Sequence, residues 1–228
     1  MKNGGGMRKV VALALMFGFV GILASGCGKK TVDYVNENMS EKTEIYFLGE
    51  TDEVYVTLSS GEREEEYLMN GKSEKKVDFG LLTVNFFNEV VGNAINVKLS
   101  VDGTVQTVML ELNQFNSTYM VDLERKFSGN EKILIEYMDD EIELVNMSKD
   151  FGVSADKAIA IASKEISKKI TKTKKLSSLN AECYLRVLDK HANNFQDLFW
   201  VFTVVNVKNE TYSVVISTVD GSVLSKSE

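Results

Sequence analysis

From Thr43 to about Met147 the apolar residues of this chain recur at every second position, a period that builds half-buried strands and does not build a helix. Val54 to Leu58 and Asn96 to Val101 alternate cleanly, and Val108, Leu110 and Leu112 share one side of Thr104 to Leu112. Asp102-Gly103 joins the last two segments, and both residues accept the positive φ of a type I′ hairpin. Glu44 to Leu48, Leu81 to Phe87, Thr118 to Leu123, Lys132 to Tyr137 and Glu141 to Val145 are further strand candidates, punctuated by Gly, Asn and Ser. About eight short strands in roughly 100 residues predict an immunoglobulin-like β-sandwich over residues 43–148. The Cys, Trp, Cys core of antibody domains is absent from that span.

At Phe151 the period changes. Ala155, Ala158, Ile159, Ala162, Ile166 and Ile170 recur at three- and four-residue steps, Ser154 is placed as an N-cap, and Asp156 lies in the first turn. The pattern predicts one amphipathic helix of about sixteen residues, with Lys164, Lys168, Lys169 and Lys172 on its outer surface and C-terminal end. Ala181 to Leu188, Leu198 to Val207, Thr211 to Ser217 and Ser222 to Leu224 then read as strands, the last two joined through Asp220-Gly221. One helix followed by an antiparallel meander makes a helix-on-sheet unit over residues 149–228, so the chain as a whole is expected to be α+β, mainly β.

The first 26 residues carry a different signal. Lys2, Arg8 and Lys9 precede the uncharged run Val10 to Ala24, which ends in Ser25-Gly26-Cys27. At ~1.5 Å per residue this 15-residue run spans about 22 Å, short of the ~30 Å hydrocarbon core, so residues 1–26 read as a signal peptide and not a permanent span. Met7-Arg8-Lys9 begins a complete signal by itself, and initiation at Met7 instead of Met1 is a hypothesis that intact Met1 on the precursor would refute.

Leu23-Ala24-Ser25-Gly26-Cys27 resembles a bacterial lipobox. The resemblance implies that Cys27 is acylated on sulfur and becomes the new N-terminus of a lipid-anchored envelope protein on the extracytoplasmic face of the cell membrane. Acyl chains in the bilayer give anchoring at ~0.8 kcal/mol per buried CH₂. Residues 27–42 are polar and weakly patterned, and read as a flexible tether reaching about 50 Å at most. The expected membrane contact is therefore through lipid on Cys27.

Charge narrows the partners. Without Lys2, Arg8 and Lys9 the chain keeps 23 of its 26 basic residues against 33 acidic ones, a net of −10. Residues 28–150 carry 12 basic and 25 acidic residues, whereas residues 151–228 carry 11 and 8. Such an acidic body disfavours nucleic acid and anionic headgroups. The 22 Lys to 4 Arg and the lack of Pro fit codon bias in an AT-rich bacterium.

Ser154 to Ala162, Trp200 to Val204, Tyr212 to Ile216 and Gly221 to Leu224 together are similar to the PepSY-type domain, a small bacterial envelope module. The resemblance covers about the last 75 residues. It implies a helix-on-sheet fold and binding to, or restraint of, peptidases.

Residues able to carry chemistry are sparse. With Cys27 lipidated, Cys183 has no disulfide partner and reads as a small buried hydrophobe on a strand face. His191 is the only His and lies in the polar segment Lys190 to Asp197 without a Gly-x-Ser-x-Gly elbow, so it reads as a solvated loop residue. Gly71-Lys72-Ser73 ends like a P-loop but Glu66 occupies the place of its first Gly. Glu62 to Glu66 and Asp139-Asp140-Glu141 lack the spacing of a calcium loop and read as hairpin tips. Phe86, Phe87, Tyr119 and Trp200 are expected in cores. No catalytic, metal or cofactor-binding residue is assigned.

The expectation is a non-enzymatic envelope lipoprotein that binds protein or peptide, in a narrower form by restraining a peptidase. The alternative is a cell-wall or glycan-binding module carried by the N-terminal β domain. An exposed row of aromatics on a sheet face would favour the glycan, and a bare strand-ready edge on the C-terminal sheet would favour the peptide.

Overall fold

The computed structural model describes residues 31–65, 75–88, 92–138, 140–170, 181–189, 191, 197–206 and 210–227. Cys27, Gly71-Lys72-Ser73 and Lys172 lie outside them, as do the side chains of Lys168 and Lys169. A helix, α1, covers residues 31–37, and α2 spans Ala155–Ile170. The strands are β1 (Met39–Glu50), β2 (Val54–Glu64), β3 (Lys76–Phe86), β4 (Ala94–Val101), β5 (Thr104–Asn113), β6 (Thr118–Asp122), β7 (Ile133–Tyr137), β8 (Asp140–Asn146), β9 (Ala181–Leu188), β10 (Phe199–Asn206), β11 (Thr211–Ser217) and β12 (Val223–Ser227). Mainly β with two helices, the chain matches the coarse expectation.

The immunoglobulin-like sandwich is corrected. Strands β1-β2-β3-β6-β5-β4-β7-β8 form a ring that closes where β8 pairs back onto β1 at Phe47↔Asn146 and Leu48↔Val145. Every neighbour in the ring is antiparallel. Alternation alone cannot separate the two solutions, because a sandwich and a barrel both bury every second residue. Closure removes the strand edges that a sandwich must protect. The interior is filled by Phe47, Val56, Leu58, Leu82, Val97, Leu99, Leu110, Tyr119, Ile133 and Ile135, all essentially buried, as an eight-stranded barrel allows.

The barrel has two unlike ends. At the upper end the strands are joined by residues 51–53, 87–93, 114–117 and 138–139; at the lower end by residues 65–75, 102–103 and 123–132. The Asp102-Gly103 hairpin has φ of 50° and 83°, as its sequence requires. Phe127, in the long lower connection, points into the core and closes that end edge-on to Phe47. Its N–H donates to Ser60 Oγ at 2.8 Å, and Ser60 Oγ donates to the Phe79 carbonyl at 3.0 Å. A side chain on Gly80 would come within 2.7 Å of the Phe127 ring, so the plug needs glycine there.

β1 is longer than the barrel needs. Its first residues, of which Glu41 and Lys42 stay paired with β2, pair on their other edge in parallel with β9, at Met39↔Cys183, Glu41↔Tyr184 and Lys42↔Leu185. A register shift between Thr43 and Ile45 marks the transition, opposite Gly61, whose Cβ position is 1.9 Å from the Lys42 carbonyl oxygen. β9 to β12 continue as an antiparallel meander. One face of it is covered by α2 through Ala155, Ala158, Ile159, Ala162 and Ile166, which meet Trp200, Phe202, Val214 and Ile216. The small alanines let helix and sheet approach, and the Trp200 indole N–H donates to the Val153 carbonyl at 2.8 Å. Ser154 caps α2 as expected, its Oγ accepting from the Lys157 N–H at 3.3 Å.

The flexible tether expected over residues 27–42 is corrected across residues 31–42. Thr31 and Val35 are buried, and Val35 and Met39 belong to the same core as Trp200 and Ile159. That core supplies the physical reason: it recruits two apolar side chains that a sequence window of polar neighbours makes inconspicuous. The boundary placed at residue 43 likewise falls inside a strand shared by both units.

Candidate functional site

At the upper end of the barrel the register brings together positions far apart in sequence: Val54 pairs with Phe86, Val84 with Tyr119, Ala94 with Glu111, and Tyr137 with Asp140. The mouth is sealed from inside by Phe86, which meets Tyr119 edge-on at 5.7 Å and Tyr137 at 5.3 Å. The Tyr119 hydroxyl donates to the Gly92 carbonyl at 2.7 Å, tying the β3–β4 connection to the barrel. Outside this seal stand three apolar side chains on three different connections: Phe87 is 46% exposed, Phe115 102% and Met138 73%.

Phe87 differs from the core placement expected for it. It lies one residue beyond β3, so its side chain leaves the barrel and packs on Tyr55 (5.5 Å) and His191 (5.4 Å). His191 also departs from its reading as a solvated loop residue. Its ring stacks on Tyr55 at 4.4 Å and its Nε2 is 2.7 Å from Glu50 Oε2. Asp189 anchors the same turn: it accepts the His191 backbone N–H at 2.7 Å and the Tyr46 hydroxyl at 2.8 Å. Burial, then the Asp189 charge, pushes the Tyr55 phenol up to about 12, and the same two causes raise Tyr46 further. Both phenols therefore stay neutral donors. The cluster clasps the segment after β9 onto the barrel rim, and the partners of its polar atoms make it a structural joint.

The other residues singled out from sequence separate. Cys183 is buried, and burial first, then Glu182, pushes its thiol up to about 12, which leaves it unreactive. Of the acidic run at 62–66, Glu62 pairs with Lys126, Arg63 with Asp122 and Glu65 with Lys75, while Glu64 is buried. Asp140 and Glu141 are exposed at the start of β8. Among the described residues no group of three His, Cys, Asp or Glu is placed to hold a metal ion.

Two further surfaces lie on the C-terminal side. A cleft of about 310 Å³ opens between the units, lined among others by Ile45, Asn130, Asn146, Lys149, Ser154 and Trp200. Its polar groups are largely engaged: Asn146 donates to the Gly129 carbonyl and accepts from Ser148 N–H, and Ser148 Oγ accepts from the Tyr46 N–H. The second surface is the edge of the sheet. β12 ends the strand order and pairs only with β11 among the described residues, and Leu224 is 52% exposed. Lys226 on this edge is ion-paired with Glu165 of α2.

Sequence reading missed Phe115 and Met138 altogether. The available signal was an apolar residue within a polar turn, as in Gln114-Phe115-Asn116-Ser117. No family model, curated protein or solved structure matches this chain.

Proposed function

We propose that this chain is a lipid-anchored protein of the bacterial envelope, held to the membrane through Cys27, that acts by binding protein or peptide and not by catalysis. The observation that carries the reading is that, among the described residues, β12 pairs on one edge only, since an unpaired strand edge presents a row of N–H and C=O groups onto which an extended segment adds as a further strand. The edge is short, and Lys226 discourages pairing between identical edges, which suits a partner of a different kind. The similarity of the helix-on-sheet unit to PepSY-type domains supports a peptidase as that partner. The glycan alternative calls for aromatics in a row on a strand face, and the exposed Phe87 and Phe115 sit instead on separate connections.

The packing of α1 sharpens the anchoring. From Cys27 to the buried Thr31 are four residue steps, at most about 14 Å, so a lipid on Cys27 would hold the C-terminal unit against the bilayer surface. The anchor is tested with Cys27→Ser, which should shift the protein from the membrane to the soluble fraction. The binding mode is tested by capturing partners from envelope extract on the full mature chain and following hydrogen exchange. New protection confined to Val223–Ser227 is the expected result, and a bound partner that leaves those amides exchanging as before would overturn strand addition.

A further inference from the structure

We infer that the cleft between the barrel and the helix-on-sheet unit binds the carboxyl end of a polypeptide whose last residue is large and apolar. The inference goes beyond strand addition at β12 and needs neither that edge nor the lipid anchor.

Shape limits the ligand first. At about 310 Å³ the cleft stands at the small end of ligand sites, with room for one large side chain and its carboxyl group. Its floor is apolar. Ile45 of β1 and Phe151 are half-buried and offer their free faces, and behind them lie the buried Ala155 and Trp200, the latter edge-on to Phe151 at 5.3 Å. A ligand group that covers this floor removes apolar area from water on both partners, which favours a large apolar side chain over a polar one.

The polar groups decide the ligand's charge. Only Glu44 and Lys149 are charged among the lining residues. Glu44 is already held by Lys42 at 2.8 Å and Lys126 at 2.6 Å, whereas Lys149 is exposed and makes no ion pair among the described residues. The Asn130 side chain is likewise without a partner among them. Ser148 Oγ accepts the Tyr46 N–H at 2.7 Å and Ser154 Oγ accepts the Lys157 N–H at 3.3 Å, so each hydroxyl keeps its own hydrogen to donate. The cleft thus retains an ammonium, an amide and two hydroxyl donors. The group that matches such a set is one that only accepts, a carboxylate.

The walls are set before a ligand arrives. Asn146 Nδ2 donates to the Gly129 carbonyl at 2.8 Å, and a Cβ on Gly129, whose φ is 87°, would stand 2.5 Å from that nitrogen, so bare backbone forms this side. Trp200 is fixed through its indole N–H on the Val153 carbonyl. A preformed site loses less conformational entropy on binding. Lys149 and Asn130 are both exposed, so the cleft is open where they stand. A side chain seated on the floor places its carboxylate by Lys149 and lets the rest of the chain run out into solvent, which suits a chain end better than an enclosed molecule.

The test uses the full mature chain and N-acetylated Gly-Gly-Leu, followed by the emission of Trp200, the only Trp of the chain, and by calorimetry. Saturable binding of the free acid is expected, with the C-terminal amide of the same peptide about tenfold weaker. Lys149→Gln should weaken the acid about tenfold and the amide less than about twofold, while Lys98→Gln on β4 should leave both unchanged. Equal binding of acid and amide, or an acid affinity that Lys149→Gln does not alter, would overturn the inference. So would the absence of both heat and emission change at millimolar peptide. Isocaproate binding as tightly as the peptide would overturn the assignment to a chain end in favour of a small free acid. Protection of the Val223–Ser227 amides by the peptide would place it on the β12 edge and overturn the cleft. Failure of strand addition with the cleft titration intact would remove the β12 reading and leave the cleft standing.

Discussion

At the lower end of the barrel Phe127 is driven into the core and Lys42, Glu44, Glu62 and Lys126 are tied to one another, whereas at the upper end Phe115 and Met138 face water. The same eight strands terminate in both. The difference teaches which end is occupied with holding the fold together. The lower end must support a second sheet, and it does so with a plug and a chain of ion pairs that runs from Glu62 through Lys126, Glu44 and Lys42 to Asp156 on α2. The upper end is fastened from within by Tyr119 and Phe86, and outside by the Tyr55, Phe87 and His191 clasp, which leaves Phe115 and Met138 exposed.

Truncating an aromatic at each end separates them most sharply. Phe127→Ala should lose about 3–5 kcal/mol in urea unfolding, because it empties a fully buried site, while Phe115→Ala should stay within ~0.5 kcal/mol. Comparable losses at the two ends would break the contrast. Gly80→Ala tests the plug without removing it. Its new methyl meets the Phe127 ring at 2.7 Å and the Arg125 carbonyl at 2.8 Å, and a cost of about 1–3 kcal/mol in thermal melts is expected, with none if the lower connection is free to shift.

The ion chain makes a smaller and pH-dependent contribution. Burial raises the Glu44 carboxyl, but hydrogen bonds from Lys126 and Lys42 outweigh it and hold the group below its usual range. A lowered folded pKa contributes stability that is present above the unfolded value near ~4.3 and is lost as pH falls through the folded value. Glu44→Gln should therefore cost roughly 1 kcal/mol at neutral pH, and the gap from wild type should close in acid. Lys42 and Lys126 have the opposite sign: burial lowers them, but hydrogen bonds of Lys42 to Asp156 and Glu44, and of Lys126 to Glu44 and Glu62, outweigh it and raise them, and their contribution is lost only as pH rises past ~10.4. The smallest effect is expected at the upper joint, where His191→Ala removes one stacked ring and one half-exposed bond to Glu50. A change below ~1 kcal/mol in melting experiments, with faster exchange of the amides around Asp189, would match a local clasp.

Much of this architecture was legible from alternation and turn chemistry. Asp102-Gly103 fixed one hairpin, Ser154 fixed the start of α2, and Ala181 to Leu188 is the observed β9. What alternation could not carry was closure, because the pairing of Phe47 with Asn146 is a relation between strands and leaves no mark on either. Residues 31–42 were illegible for another reason. Val35 and Met39 are isolated among polar neighbours, and their burial depends on a sheet that the chain completes only later. The rim stayed hidden because His191, Tyr55 and Phe87 come from three separate segments, each ordinary when taken alone.

The shared strand β1 also dictates an order of events. Met39 meets Cys183, and Val35 shares a core with Ile216, so the earliest part of the body to leave the ribosome is among the last to find its partners. The barrel can close as soon as β8 has emerged, but α1 and the start of β1 must wait for β9 to β11. That interval leaves the few apolar side chains of α1 and the β9-facing edge of β1 uncovered beside a finished barrel, a natural point for a chaperone to hold the chain and for a protease to sense that synthesis stopped short.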